Sequence, residues 1–121
     1  MKLLTFRPPR ARNGHFGVLL NDNRVLDITA LSGRKLPSTL LGCIEEGDAG
    51  LATVRSALAD AEAALSRGEQ LPQVFALGDV TLEAPLKPGK IMAVGKNYAD
   101  DDAEGAGQVY TRVAGFVKLT S

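Results

Sequence analysis

The stretch Phe16-Gly17-Val18-Leu19-Leu20-Asn21-Asp22-Asn23-Arg24-Val25-Leu26-Asp27-Ile28 decides how the first half of this chain folds. Two apolar, strand-favouring runs flank an Asn-Asp-Asn cluster. Such short polar side chains tolerate left-handed backbone and hydrogen-bond locally, so the stretch reads as a β-hairpin. Arg24 alternating with Val25 implies one wet face and one covered face. Upstream, Leu3, Leu4 and Phe6 form another short apolar run, separated from the hairpin by a loop from Pro8 to Gly14. Together these runs form a small antiparallel meander.

Downstream of the hairpin the apolar period lengthens. Ser38 is placed to cap a helix carrying Leu40, Leu41 and Ile44, with Gly47 as its stop. Asp48 is placed to cap a second helix running to about Arg67, with Gly68 just beyond it. Leu51, Val54, Leu58, Ala61 and Leu65 step by three and four and share a face, while Arg55, Asp60, Glu62 and Arg67 occupy others. At this spacing the stripe is core rather than a coiled-coil seam.

Past Pro72 the pattern changes again. Val80-Thr81-Leu82 reads as a strand, and residues 84–89 are a Pro/Gly-rich connector. Lys90-Ile91-Met92-Ala93-Val94-Gly95 is a near-continuous apolar strand of the type buried on both faces. A polar segment from Asn97 to Gly107 follows, then a last strand over Gly115-Phe116-Val117-Lys118-Leu119. The expected class is α+β. A small amino-terminal β-meander with two helices occupies residues 1–75, and residues 76–121 begin a β-rich domain, with the boundary falling between 70 and 85. The two late strands need neighbours for their backbone groups, so that second domain is expected to be incomplete in this chain.

Composition narrows the function classes. Hydrophobic residues at 45% and charged residues at 23% of 121 positions describe a folded domain rather than a disordered segment. Fourteen basic and fourteen acidic side chains cancel. No net field attracts nucleic acid or an anionic membrane, and neither is expected as a partner. Arg7, Arg10 and Arg12 read as a solvated loop cluster. The lone Cys43, set among Leu40, Leu41 and Ile44, reads as a small buried apolar residue and excludes an internal disulfide. The amino terminus is too short in apolar residues for a signal peptide, and no run matches a membrane span, so a reducing cytoplasm is the expected location. The single histidine, His15, reads as a surface or half-buried strand residue, and the adjacent Glu45 and Glu46 as solvated carboxylates at a helix end.

The chemistry concentrates after the apolar strand. Gly95-Lys96-Asn97-Tyr98-Ala99-Asp100-Asp101-Asp102-Ala103-Glu104 puts polar groups where a buried strand ends, a common place for sites. If this run is helical, Asp101 and Glu104 share a face and could hold a hard cation or share a proton. Read as composition alone, it is a solvated helix start favoured by the helix dipole.

The string from Ala84 through Asp100, with Gly95-Lys96-Asn97-Tyr98-Ala99-Asp100 at its end, resembles the opening of the catalytic domain of the fumarylacetoacetate hydrolase family. Residues 113–121 resemble that family's next strand, with its lysine at Lys118. Met1–Arg7, the Gly17–Ile28 hairpin and Leu36–Leu41 resemble the small amino-terminal domain of its bacterial members. The resemblance implies a magnesium or manganese enzyme that cleaves, decarboxylates or isomerises an acylpyruvate-like 2-oxo acid, as in aromatic breakdown. It also implies an Asn-Tyr-x-x-His-x-x-Glu motif, matched here by Asn97, Tyr98 and Glu104, with Asp101 at the histidine position. On this reading Glu104 and Asp101 are the catalytic candidates, and Asn97, Tyr98 and Lys118 bind substrate. An Asp has a reference pKa of about 3.9 against about 6.5 for His, so it suits reversible proton transfer near neutrality less well. The family's metal-ligating carboxylates have no counterpart here, so no metal ligands are assigned and tight metal binding is not expected. The chain therefore reads as an amino-terminal fragment, inactive alone. The alternative is a non-catalytic interaction module, for instance a homodimer joined through its unpaired strands.

Overall fold

The computed structural model describes residues 1–31, 35–95 and 114–118. Within them run β1 (Lys2–Arg7), β2 (His15–Leu19), β3 (Arg24–Asp27), α1 (Leu40–Glu45), α2 (Asp48–Ser66), β4 (Val74–Ala76), a single 3-10 turn (Leu77–Asp79), β5 (Thr81–Glu83), β6 (Ile91–Gly95) and β7 (Ala114–Lys118). The chain divides into two compact units, Met1–Leu86 and Lys87–Ser121. The mixed α+β class expected from the sequence holds.

In the first unit five antiparallel strands lie in the order β4-β3-β2-β1-β5. The hairpin is formed by pairing Val18 with Leu26 and Leu19 with Val25. Asn23 takes the positive φ of 59° that its turn demands. Residue 75, where the sequence pattern ended the small domain, lies inside the sheet. Strand β4 pairs with β3 and β5 with β1, so both late strands complete this unit and it continues to Leu86. The physical reason is that β1 and β3 are interior strands whose outer backbone groups need partners.

Both faces of the sheet are covered. One face carries Phe16, Val18 and Leu26, which join Val54, Ala57 and Ala61 of α2 and Leu40 and Cys43 of α1 in the main core. The α2 stripe differs from expectation in detail. Gly50, Val54, Ala57, Ala61 and Ala64 are the buried residues, and Leu51, Leu58 and Leu65 pack half-buried around them. Small residues at the centre let the helix axis approach the sheet. The two helices also meet closely, because a Cβ on Gly50 would stand 2.8 Å from the Cys43 carbonyl oxygen.

The other face closes on itself. Register places Phe6 beside His15, Gly17 beside Asp27, and Val25 beside Phe75, all on one side. Strands β1 and β4 are three strand spacings apart, about 14 Å in a flat sheet. Yet the Phe6 and Phe75 rings have centroids only 6.3 Å apart. The sheet is therefore strongly curled, with Phe6 and Val25 fully buried inside the curl. Gly17 leaves the room for this: a Cβ there would meet Phe6 Cε1 at 2.6 Å and the Leu26 carbonyl oxygen at 2.7 Å.

Helix ends follow local chemistry with two shifts. Thr39, not Ser38, caps α1, its hydroxyl accepting from the Gly42 N–H, because Ser38 is tied by its carbonyl to Thr29. Gly47 rather than Asp48 is the α2 N-cap, leaving Asp48 in the first turn, where its charge suits the dipole. Gly68 ends α2 at φ 81°, as its position implied.

In the second unit β6 and β7 pair alone as a two-stranded antiparallel ribbon. The expectation of a strand buried on both faces is not met: Met92, Val94, Phe116 and Val117 are exposed. Among the described residues of this unit no second layer covers the two strands.

The curl yields a direct test. Gly17→Ala forces a methyl into the Phe6 ring and a backbone carbonyl, and is expected to cost about 2 kcal/mol of stability. Urea unfolding followed by far-UV circular dichroism reads this as a lower midpoint. An unchanged midpoint would show that Phe6 does not pack over Gly17.

Candidate functional site

Of the residues singled out by sequence, Asn97, Tyr98, Asp101 and Glu104 lie outside the described residues. The structure does fix the frame around them. Strand β6 ends at Gly95 and β7 begins at Ala114, and these two residues are register partners. Residues 96–113 therefore leave and return at adjacent points on one end of the ribbon. Lys118 pairs with Ile91 at the other end and is exposed. The offset from Ala114 to Lys118 is about 13 Å of extended chain. Lys118 is thus placed at the end of the ribbon opposite Gly95 and Ala114.

Among the described residues, the one acid–base pair with a buried member is His15 and Asp27. His15 Nδ1 lies 2.6 Å from Asp27 Oδ2, and the Asp27 side chain is 1% exposed against 26% for His15. A carboxylate only accepts, so Nδ1 carries the shared proton and the imidazole is held in that orientation. Asp27 Oδ1 accepts from the Ala30 N–H at 2.9 Å, which ties the turn leaving β3. The Phe6 ring meets His15 edge-on with centroids 6.2 Å apart. The half-buried strand position of His15 agrees with its sequence pattern. Its partner was missed there, although a charged residue inside the apolar run Val25-Leu26-Asp27-Ile28 is the signal that could have found it. Both Asp27 oxygens are committed to protein donors, so the pair orders the sheet and the turn after it.

The remaining polar features are structural or solvated. Arg7 pairs with Glu83 across β1 and β5. Arg24 Nε donates to Asp22 Oδ2 at 2.6 Å in the hairpin turn; the guanidinium holds the Asp22 carboxyl below its usual range, and Asp22 in turn raises Arg24. Both are solvent-facing, so the pair adds little stability. Cys43 is buried, and burial, with Glu46 nearby, pushes its thiol up. Glu45 and Glu46 are exposed, as expected at a helix end.

No group of three or more His, Cys, Asp or Glu among the described residues could hold a metal ion. The donors present there do not fit a hard divalent cation, which takes several oxygens in near-octahedral array. Among the described residues, no helix is long and apolar enough to cross a membrane.

The fold and this frame define a mixed α+β protein in which a curled sheet with two helices precedes a separate β-ribbon that brackets a polar segment. No protein-family model matches the chain. A mitochondrial oxaloacetate tautomerase of Bos taurus is 37% identical over 102 residues, covering 83% of this chain and 29% of its own length. The oxaloacetate tautomerase YisK of Bacillus subtilis is 32% identical over 96 residues, 73% of this chain and 31% of its own length. The fumarylacetoacetate hydrolase domain-containing protein 2 of Pongo abelii is 33% identical over 102 residues, with 83% and 29% covered. The chain belongs to the fumarylacetoacetate hydrolase family, and it spans less than a third of the length of the curated relatives it matches.

Two measurements check the polar interior. Asp27→Ala orphans the Ala30 N–H and His15 Nδ1, and is expected to cost about 3 kcal/mol. A loss under about 1 kcal/mol in urea titrations would mean that water reaches both donors. Cys43, with its thiol raised by burial, is expected to resist a thiol-reactive disulfide reagent at pH 8 and to react at once in urea. Rapid modification of the folded protein would place the thiol at the surface.

Proposed function

We propose that this chain carries the amino-terminal portion of a fumarylacetoacetate-hydrolase-family protein that interconverts the keto and enol forms of a four-carbon 2-oxo diacid, with oxaloacetate as the reference substrate. One observation carries this reading: relatives from a mammal and a bacterium, at 37% and 32% identity, are both named oxaloacetate tautomerases. Of the reactions the resemblance allows, their names favour isomerisation over cleavage or decarboxylation, and an acid not confined to aromatic breakdown.

The chemistry asked of the chain is modest. A base removes a proton from the carbon beside the carbonyl, and the carbonyl oxygen gains a proton as the enol forms. We assign the proton-handling role to Glu104 and Asp101, and the hydrogen bonds to substrate oxygens to Asn97 and Tyr98. All four fall in the segment whose two ends are gathered by the Gly95–Ala114 pairing. Lys118, on β7, is proposed to bind substrate with them. Magnesium or manganese, where bound, would stabilise the enolate charge; the described residues supply no set of ligands for it, and residues 1–121 alone are proposed to be inactive.

A second reading is an interaction module without catalysis, for example a homodimer. The exposure of Met92, Val94, Phe116 and Val117 favours it.

A chimera separates the two. Residues 1–121 replace the matching segment of YisK, and loss of the enol absorbance of oxaloacetate is followed with magnesium present. The chimera is expected to tautomerise, and Glu104→Gln within it to slow the reaction by about 100-fold. A folded chimera that leaves the enol untouched refutes the tautomerase reading, whereas an active one indifferent to Glu104→Gln refutes the site.

A further inference from the structure

Asn13-Gly14 is the sequence pair of a tight type I′ turn, yet it does not form one. Among the described residues, positive φ occurs at Arg10, Asn23, Gly47 and Gly68. What Gly14 contributes instead is its missing Cβ. The alternation of side chains along β2 puts Gly14 on the side of Phe16, whose register partner Thr5 is also paired with Glu83 of β5. A Cβ on Gly14 would collide with Glu83 Oε2 and stand 3.3 Å from Thr5 Cγ2. Glu83 is held there in two ways. Its Oε1 is paired with Arg7, and the Thr5 hydroxyl donates to the Pro85 carbonyl at 2.8 Å, which fastens β5 to β1. Oε2 is left facing the backbone of Gly14, and Asn13 and Gly14 are both exposed to water.

These groups are the parts of a ring closure. A backbone N–H can attack the side-chain amide of the residue before it when no Cβ crowds the five-membered ring, and glycine has none. The attack also needs a base within reach of the N–H proton, directly or through one water. A carboxylate oxygen seated against Gly14 meets that need. His15, the neighbouring residue, is less suited, because its Nδ1 is committed to Asp27.

We propose that Asn13-Gly14 is a self-modification site, at which the Gly14 amide nitrogen displaces ammonia from the Asn13 side chain with Glu83 as the base. Glu83 Oε2 takes the Gly14 N–H proton, and the nitrogen bonds to Asn13 Cγ to form a cyclic imide. The Cγ–Nδ2 bond breaks, and the proton passes from Glu83 to the departing nitrogen, which leaves as ammonia. Water then opens the imide. Opening at Cγ leaves aspartate; opening at the main-chain carbonyl leaves isoaspartate, with the chain rerouted through the former side chain. The sum is one ammonia lost and one water gained, with no oxidant or further reactant. Either product sets a carboxylate beside Arg12, and isoaspartate lengthens the main chain by one carbon just before β2, where His15 holds Asp27.

The test ages the chain at pH 8 and fragments it intact in a mass spectrometer. Exchange of the amide for an acid raises the mass by about one dalton. Asn21 and Asn23, followed by Asp22 and Arg24, are internal controls. Asn13 is expected to change about ten-fold faster than either control, because only its successor lacks a Cβ. Glu83→Gln is expected to slow Asn13 about ten-fold in the folded chain and to leave its rate in urea unchanged, since strand register alone brings the two together. The Arg7–Glu83 pair lies at the surface, so this variant keeps the fold, which far-UV circular dichroism checks. Gly14→Ala, whose methyl displaces the end of a flexible side chain, is expected to slow Asn13 about ten-fold both folded and in urea. An Asn13 that changes no faster than Asn21 and Asn23 overturns the proposal. So does a Glu83→Gln chain that ages at the original rate when folded, or one slowed equally in urea. A Gly14→Ala chain that ages at the original rate overturns the ring closure itself.

Discussion

The first unit is organised around one buried carboxylate. Asp27 sits at 1% exposure at the end of β3, where an unpaired charge would be strongly destabilising. Its two oxygens take the His15 imidazole N–H and the Ala30 backbone N–H, so the start of β2 and the turn after β3 are fixed to the same group. Thr29 extends the node: its hydroxyl accepts from the Phe16 N–H at 2.8 Å and donates to the Ser38 carbonyl at 2.9 Å. Ser38 precedes Thr39, the cap of α1. A single chain of polar contacts thus passes from the sheet to the first helix, and the apolar core is assembled around elements whose directions it has set.

That node also explains why the sheet can be covered on both faces. Helices α1 and α2 bury one side, and among the described residues no third α-helix covers the other. Curling brings Phe75 of β4 onto Phe6 of β1 and encloses Val25 between strands instead. The closure works because Gly17 contributes no side chain at the crowded centre and because β4 and β5 are joined by only the short 3-10 turn. Both edge strands are three residues long and bordered by Pro72 or Pro85, which limits recruitment of foreign strands.

What was legible in the sequence was whatever is encoded locally. The hairpin declares itself through Asn23, which adopts the backbone its side chain tolerates, and α2 through apolar steps of three and four. The three-residue strand β4 left no periodic trace, because it exists only by pairing with β3. Cap positions slipped by one residue where a tertiary contact outbid a local one, as at Ser38. The His15–Asp27 pair joins residues twelve apart through hairpin register and is invisible to motif spacing. The apolar run at β6 located the strand but not its burial, since local sequence does not say what packs against it. The candidate chemistry at Asn97, Tyr98, Asp101 and Glu104 was legible only as a motif, and these positions lie outside the described residues.

The two units differ in how far they satisfy their own groups, and that difference bears on where chemistry can reside. In the first unit no buried side-chain nitrogen or oxygen among the described residues lacks a hydrogen-bond partner. Its one buried acid is saturated by two donors. Its cysteine is buried with a raised thiol, and its exposed ion pairs are solvated. A group whose hydrogen-bonding capacity is spent on structure is poorly placed to exchange a proton with a ligand. The ribbon unit is the reverse: its apolar faces are bare and its register gathers the ends of a segment rich in carboxylates. The curled sheet with its two helices thus satisfies its own polar groups, whereas the ribbon keeps apolar side chains exposed beside the Gly95–Ala114 pairing.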